Sequence, residues 1–429
     1  MSQLVSYWIS TLKMGFKGIK LLPDILFFCP IRQGILVCIA KKYKLHTMMK
    51  ICDKLPSYDG EVAEKKMNIV NIASEKIRSG ERINFAEALA LYQSNDLLKL
   101  ASLARIVKER KSGHNVYYNV NRHINLTNIC VSGCPLCAFG CTAESDKAYV
   151  MELADVISIV RRTALETPDI SEIHMVSALH PDKPFSYYED IVAAVKEILP
   201  NVHLKAFTPV EIVHFAKISG LNVQTVLERL QVAGLDSLPG GGAEILDDRV
   251  RKIICPNKAT TAEWIEVITT AHGLGLPTNG TMLYGHIETV EQRIEHLITL
   301  RDIQDKTGGF QAFIAFPFHP ANTGFTQLKR VTSWEDLKMI ALSRLVLDNF
   351  DHIKAFWMML TLPIAQLALA FGADDLDGTV VEEKIIHAAG ATTKTGITKG
   401  EIVSLVEETG YLAVERDTFY RPLESASGE

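Results

Sequence analysis

A surplus of positive charge is missing from this sequence. Its 429 residues carry 45 Lys and Arg against 50 Asp and Glu, a formal net charge of −5. No cationic excess is there to displace phosphate counterions, which argues against a nucleic-acid partner. Long apolar runs are missing too. The most apolar region, GIKLLPDILFFCPIRQGILVCIAKKYK, is interrupted by Lys20, Pro23, Asp24, Pro30 and Arg32. It falls short of the roughly 18 uncharged residues that a membrane span needs. It also lacks a small-residue cleavage pattern after a compact apolar core. Cysteine is sparse for the length, at eight. That excludes a disulfide scaffold, and the clustering of several cysteines points to metal or catalysis in a reducing cytoplasm. Low-complexity segments and repeats of about 20–50 residues are absent, so no solenoid or array is expected.

What remains is the composition of an ordinary globular enzyme, 47% hydrophobic and 22% charged. Residues 1–48 read as an extension that packs loosely or is disordered. Two alternatives stand beside this: translation beginning at Met48 or Met49, or a membrane-surface anchor in which Phe, Leu and Ile alternate with Lys and Arg. Residues 49–118 read as a helical segment. EVAEKKMNIVNIASEKIRSG has helical apolar spacing and a stop at Gly80, and INFAEALALYQSNDLLKLASLARIVKERKSG repeats the pattern up to Gly113.

Beyond this the texture changes. RHINLTNI, EIHMVSAL, VHLKAFTP, LDSLPGGG, LPTNGTMLYG, FQAFIAFPFHP, HIKAFWMML and LALAFGADD read as eight strands. Amphipathic segments lie between most of them. In ELADVISIVRRTAL, Leu153, Val156, Ile157, Val160 and Ala164 share one helical face. Eight strands alternating with helices predict a parallel (β/α)8 TIM-type barrel over residues 119–378, with residues 379–429 packing on it as a C-terminal segment. The short gap before the last strand makes closure of the ring the point to check. Turn formers and polar groups gather at the strand ends, in CVSGC, SALHPD, FTPVEI, PGGGAE, YGHIET and FPFHPANT. In such a barrel those loops build the site.

CVSGCPLCAFGC concentrates the chemistry. Cys130, Cys134 and Cys137 stand in C-x3-C-x2-C spacing, with Cys141 four positions on. Three readings compete. A zinc site normally draws two CxxC-like pairs from either side of a longer loop. A closed four-cysteine iron–sulfur centre needs Cys141, and this run lacks the ferredoxin spacing with its final Cys-Pro. The third reading is a 4Fe–4S cluster on three thiolates with its fourth iron open.

The spacing after a first barrel strand resembles the radical S-adenosylmethionine (radical SAM) superfamily. RHINLTNICVSGCPLCAF, HMVSALHPDKPFSYY, HLKAFTPVEI, GLDSLPGGGAEILDDRVRKIICPNK, TNGTMLYGHIET and QDKTGGFQAFIAFPFHPANT narrow the resemblance to its menaquinone and deazaflavin branch, from about Met49 to about Arg416. That branch holds aminofutalosine synthase, the cyclase of dehypoxanthine futalosine, and one component of deazaflavin-precursor synthase. KAFTPVEI and TMLYGHIET are most similar to the first. The sequence departs from the family pattern at Leu136, where an aromatic is usual before the third cysteine. Ser177-Ala178 replaces Gly-Gly, and Asp374 and Asp377 replace Asn and Gly.

The resemblance implies a 4Fe–4S cluster on Cys130, Cys134 and Cys137, S-adenosylmethionine as a consumed cosubstrate, and a reducing donor such as flavodoxin or ferredoxin. It implies addition of the 5′-deoxyadenosyl radical to the alkene of 3-[(1-carboxyvinyl)oxy]benzoate, with loss of bicarbonate. Backbone at Ser177 and Ala178 is expected to meet the methionine amino group, and Glu244 the ribose hydroxyls. The small-molecule substrate carries two carboxylates, so strand-end donors are expected to bind it: Arg122, His123, His180, Lys205 and His319. Arg122 and His123 alternate on one strand, so only one faces inward. His286 is the expected catalytic group, able to take or give a proton. Each of these is weighed against an ordinary structural hydrogen bond, and Glu244 against a helix N-terminal carboxylate. The PGGGAE run reads as close backbone approach to adenosine. Cys141 reads as structural, and Cys29, Cys38, Cys52 and Cys255 as buried small apolar residues. FWMML reads as a core strand whose Met358 and Met359 are pocket candidates. Oligomeric state stays open.

Overall fold

The computed structural model describes residues 26–31, 34–39, 60–94 and 96–423, with side chains from residue 67 onward. Two units divide the chain, Met1–Glu64 and Lys65–Glu429. In the first, Leu26–Ile31 and Gly34–Ile39 pair as an antiparallel hairpin. The rest of the expected extension, the alternative starts at Met48 or Met49, and the side chains of Cys29, Cys38 and Cys52 lie outside the described residues. Among the described residues no helix is long and apolar enough to cross a membrane.

The second unit is built on eight parallel staves. The first three are Asn121–Ile124, Glu172–Met175 and His203–Ala206, paired in order with His123, His174 and Lys205 in one row. The fourth is only the Ser237-Leu238 pair, bridged to Lys205 on one side and Thr278 on the other. Thr278–Tyr284, Phe310–Pro317, His352–Lys354 and Asp375–Gly378 follow, each paired with its neighbour. The ring closes where Val381 bridges Arg122 and accepts the His123 N–H at 3.0 Å. Two-residue pairing at the fourth stave and a bridge at the seam suffice, because helices cover the outside.

Those helices start where the sequence supplies reciprocal caps. Thr208 with Glu211, Thr260 with Glu263 and Thr289 with Gln292 each satisfy two orphan N–H groups, the capping-box arrangement. Between ring and helices lies the apolar core, with Trp264, Phe313 and Phe350 fully buried. N-terminal helices Gly60–Ser79, Phe85–Tyr92 and Leu97–Ser112 precede a strand, Asn115–Asn119, that pairs with both Asp375–Gly378 and the C-terminal strand Leu412–Glu415.

Two strand expectations need correction. HIKAFWMML keeps strand pairing only through Lys354, and Trp357–Leu360 is a helical turn. LALAFGADD is helical too, running from Leu362–Ala368 into a tight turn at Leu369–Phe371 that Gly372 stops at φ +99°. The eighth stave begins after it, at Asp375. Ile353 to Leu360 is buried throughout, which leaves no periodicity to separate helix from strand, whereas LALAFGADD exposes Leu367 and Ala370 three positions apart, a helical spacing.

Candidate active site

The cysteine loop follows the first stave. Its base is fastened by backbone: Cys130 N–H donates to the Cys141 carbonyl at 2.9 Å, and Cys141 N–H to the Asn128 carbonyl at 2.8 Å. Its outer side is braced by Gly324 N–H on the Pro135 carbonyl at 2.7 Å. Cys130 and Cys137 line a cavity of about 340 Å³, and Cys134 is buried beside them. Gly140 donates its N–H to Cys137 Sγ at 3.3 Å. A Cβ there would meet Cys130 Cβ at 3.2 Å and the sulfurs of Cys137 and Cys130 at 3.7 and 3.8 Å. The loop therefore keeps space open directly against two thiols. Burial pushes the Cys134 thiol up to about 11, and Lys258 pulls against that shift. Metal ligation removes thiol protons, and an adjacent ammonium favours the same state. Among the described residues no three ligating side chains converge as around a single ion. Cysteines that bind separate irons of a cubane do not need one focus. Space, the N–H directed at sulfur and the nearby cation together fit a cluster.

Next to the cysteines, Ser177 and Ala178 line the cavity as expected, with a group that sequence reasoning missed. Glu211 accepts the Ser177 N–H at 2.8 Å, the Thr208 N–H at 2.7 Å and the Thr208 hydroxyl at 2.8 Å. Burial pushes its carboxyl up to about 7 against these donors. The signal was the capping box, which reads as a helix start and here also fixes a site carboxylate. Glu244 lines the cavity at φ +48° and pairs with Lys258 at 2.6 Å. Burial opposes its ionisation, but Lys258 holds it below the usual carboxylate range. In the PGGGAE run, a Cβ on Gly240 would lie 1.8 Å from the Asn279 carbonyl oxygen. Packing of the fourth stave on the fifth already requires that glycine.

Of the expected substrate contacts, His123, Lys205 and His319 reach the cavity. His123 stacks on His174 with centroids 4.4 Å apart, and burial pushes it down to about 3, so the imidazole is neutral. Lys205 pairs with Glu172 at 2.9 Å. His319 approaches the Met359 carbonyl at 3.0 Å. The other two, and the expected catalytic His286, are not brought there. Arg122 points outward and pairs with Glu382 at 2.7 Å. His180 caps a turn, Nδ1 accepting the N–H groups of Asp182 and Lys183 at 3.1 and 3.2 Å. His286, the expected catalytic group, is buried between Glu288 at 2.8 Å and the Leu283 carbonyl at 3.1 Å. Gly285 at φ +89° turns the chain after the fifth stave, and the ring packs outside the cavity lining. Lys354 and Asp377, paired at 2.7 Å, are cavity residues absent from the expected set. Of the two methionines, Met359 lines the cavity and Met358 is core. Cys255 is buried.

A closed parallel barrel that presents two thiols of one loop to an apolar cavity, with a third buried beside them and paired charges on the staves, defines a cofactor-dependent enzyme of a small organic substrate. Family comparison matches residues 124–300 to the Radical SAM superfamily and residues 307–427 to the CofH/MqnC C-terminal region. The chain is 44% identical over 355 residues to the aminodeoxyfutalosine synthase of Thermus thermophilus, spanning 81% of this chain and 94% of that one. It is 41% identical over 365 residues to the enzyme of the same name from Streptomyces coelicolor, spanning 82% and 94%. The solved structure of methylornithine synthase (PylB) shares the fold, with a TM-score of 0.64 at 16% identity over 80% of this chain and 97% of that one. The chain belongs to the radical SAM superfamily. Its cofactors are accordingly a 4Fe–4S cluster and S-adenosylmethionine.

Proposed function

We propose that this chain is an aminofutalosine (aminodeoxyfutalosine) synthase. With uptake of one water, it joins the 5′-deoxyadenosyl group of S-adenosylmethionine to 3-[(1-carboxyvinyl)oxy]benzoate and gives 6-amino-6-deoxyfutalosine, methionine, bicarbonate and a proton, an early step toward menaquinone. The observation that carries this is the 44% identity to an aminodeoxyfutalosine synthase over 94% of that enzyme's length. Cys130, Cys134 and Cys137 hold the cluster, which when bound supplies the electron that opens the sulfonium of S-adenosylmethionine. The chain's own residues do the rest. Glu211 fixes the Ser177 amide at the cavity wall. Phe316, Phe318, Phe356 and Met359 line the cavity with groups that exclude water from a reactive carbon radical. Lys205 and His123 face the carboxylate-bearing substrate. A cytoplasmic enzyme reduced by a flavodoxin or ferredoxin completes the reading.

One anaerobic assay tests it. Reduced, cluster-loaded protein is expected to convert the benzoate enol ether to the nucleoside adduct and to leave dehypoxanthine futalosine unchanged. Turnover of the second substrate alone would replace the assignment with the cyclase.

Glu211 sets a pH dependence of stability. Its folded pKa of about 7 lies above the unfolded value of about 4.3. Between these the folded state holds the extra proton, so stability is greatest at the acid end and falls as pH rises toward 7. The contribution is about 4 kcal/mol at most. Melting temperature measured from pH 5 to 8 is expected to fall in the parent and to stay flatter in Glu211→Gln.

A further inference from the structure

Two lysines stand at the deeper end of the cavity, and each is neutralised by a carboxylate. Lys205 meets Glu172 at 2.9 Å and Lys354 meets Asp377 at 2.7 Å. The pairs differ in how firmly they are held. Glu172 Oε2 also accepts the hydroxyl of Thr418 at 2.7 Å, and Thr418 is fully buried in the C-terminal segment. Lys205 is therefore fixed to a carboxylate that is itself braced. Asp377 receives only Lys354 on its carboxylate among the described residues. It sits at φ +70° inside the eighth stave, a left-handed conformation that costs a non-glycine residue energy and clusters at functional sites. A carboxylate with one partner is the easier one to displace.

A second observation points to the same spot. His123 is 6% exposed, lines the cavity, and its Nε2 has no hydrogen-bond partner. A buried nitrogen left unpaired costs free energy that a ligand recovers. The charge of Asp377 acts on His123, so the open nitrogen and the displaceable pair are neighbours. Lys354 is in register with Ile314 and Asp375, inside the ring and not on the loops that carry the cysteines. Ile314 and Phe356 flank it with apolar surface for an aromatic ring.

We propose that Lys354 and His123 form the seat of the substrate's ring carboxylate, and that Asp377 holds Lys354 until that carboxylate takes its place. This rests on the substrate assigned above. The enol carbon receives the adenosyl group and must lie at the cysteine end. The ring carboxylate, at the far end of the same molecule, then meets the deeper lysine. Lys354 reads a carboxylate that the product retains, so it sets specificity and takes no part in bond making.

The test compares 3-[(1-carboxyvinyl)oxy]benzoate with 2-phenoxyacrylate, the same enol ether without the ring carboxylate, in cluster-loaded protein. The parent is expected to prefer the dicarboxylate by about 30-fold in kcat/KM, the size of one charge-assisted hydrogen bond. Lys354→Met is expected to lose that preference, mainly through KM, and Lys354→Arg to recover part of it. Asp377→Asn is expected to lower KM for the dicarboxylate alone, and decides the matter should Lys354→Met not fold. An unchanged preference in Lys354→Met, its loss in Lys205→Met instead, or an unchanged KM in Asp377→Asn overturns the proposal. Calorimetric binding of 3-methoxybenzoate separates the two levels. If the parent fails to turn over the enol ether yet binds this probe through Lys354, the seat stands and the reaction assignment falls.

Discussion

Cys134→Ala is expected to abolish both the iron–sulfur absorbance and the nucleoside adduct, while Cys141→Ala keeps both. Cys134 lies three positions before Cys137 and Cys141 four after it on one loop, so spacing alone does not separate them. Their surroundings do. Cys134 is buried and lies in the electrostatic reach of Lys258 and Cys137. Because the position is buried, the variant would leave one iron without a protein ligand there. Cys141 contributes through its backbone, accepting from Cys130 N–H and donating to the Asn128 carbonyl. Alanine retains both bonds, and with them the base of the loop. Iron and sulfide content, the spin signal of the reduced protein and adduct yield measure the outcome. Loss of the cluster in Cys141→Ala as complete as in Cys134→Ala would mean four protein ligands and a closed centre, and the open-iron chemistry would fall with it.

Parts of this site were legible in the sequence because they depend on order along the chain. The cysteine spacing is local, and strand ends in a β/α barrel point toward one face whatever the helices do. Side-chain direction is not local in that way. Arg122 and His123 are adjacent on a strand, and the pleat sends them to opposite sides, so the ion pair with Glu382 and the open cavity nitrogen were one alternative apart. His286 lies past a left-handed glycine, and that turn carries its ring to Glu288 and away from the cavity. Lys354 was hidden for the opposite reason. It stands within the apolar run HIKAFW, where a single cation reads as an interruption of a core strand until the register shows it facing the lumen. Glu211 was visible only as a helix cap. For Arg122, Lys354 and Glu211 what the sequence withheld was a contact between distant segments, and for His286 it was the direction of a local turn.

Asp374→Ala is expected to destabilise the protein by about 3–5 kcal/mol, the cost of stranding a buried partner charge. Asp374 joins four segments. Its carboxylate takes the Arg344 guanidinium at 2.6 Å, the His352 ring at 2.9 Å, the Ser112 hydroxyl at 2.7 Å and the Ile353 N–H at 2.8 Å. Arg344 and Asp374 are both fully buried, so no solvent compensates when the carboxylate goes. Burial opposes ionisation of Asp374, but Arg344 and His352 outweigh it and hold the carboxyl well below its usual range. A depressed acid contributes its stability above the unfolded pKa, about 3.9, and loses it as pH falls further. Acid unfolding below about pH 4 should therefore be steep in the parent and shallower in Asp374→Ala, whose melting temperature at neutral pH drops by about 5 °C. Asp374→Asn keeps one acceptor oxygen for the Ile353 N–H and turns an amide donor toward the Ser112 hydroxyl, and is expected to lose less. The Ile353 N–H that Asp374 binds precedes Lys354, and Asp374 itself precedes the eighth stave with Asp377. The same carboxylate that secures the seventh and eighth staves thus sets where the displaceable pair stands. Asp374→Asn, folded but with Arg344 less fully matched, should then show weaker preference for the ring carboxylate before it shows any loss of the cluster.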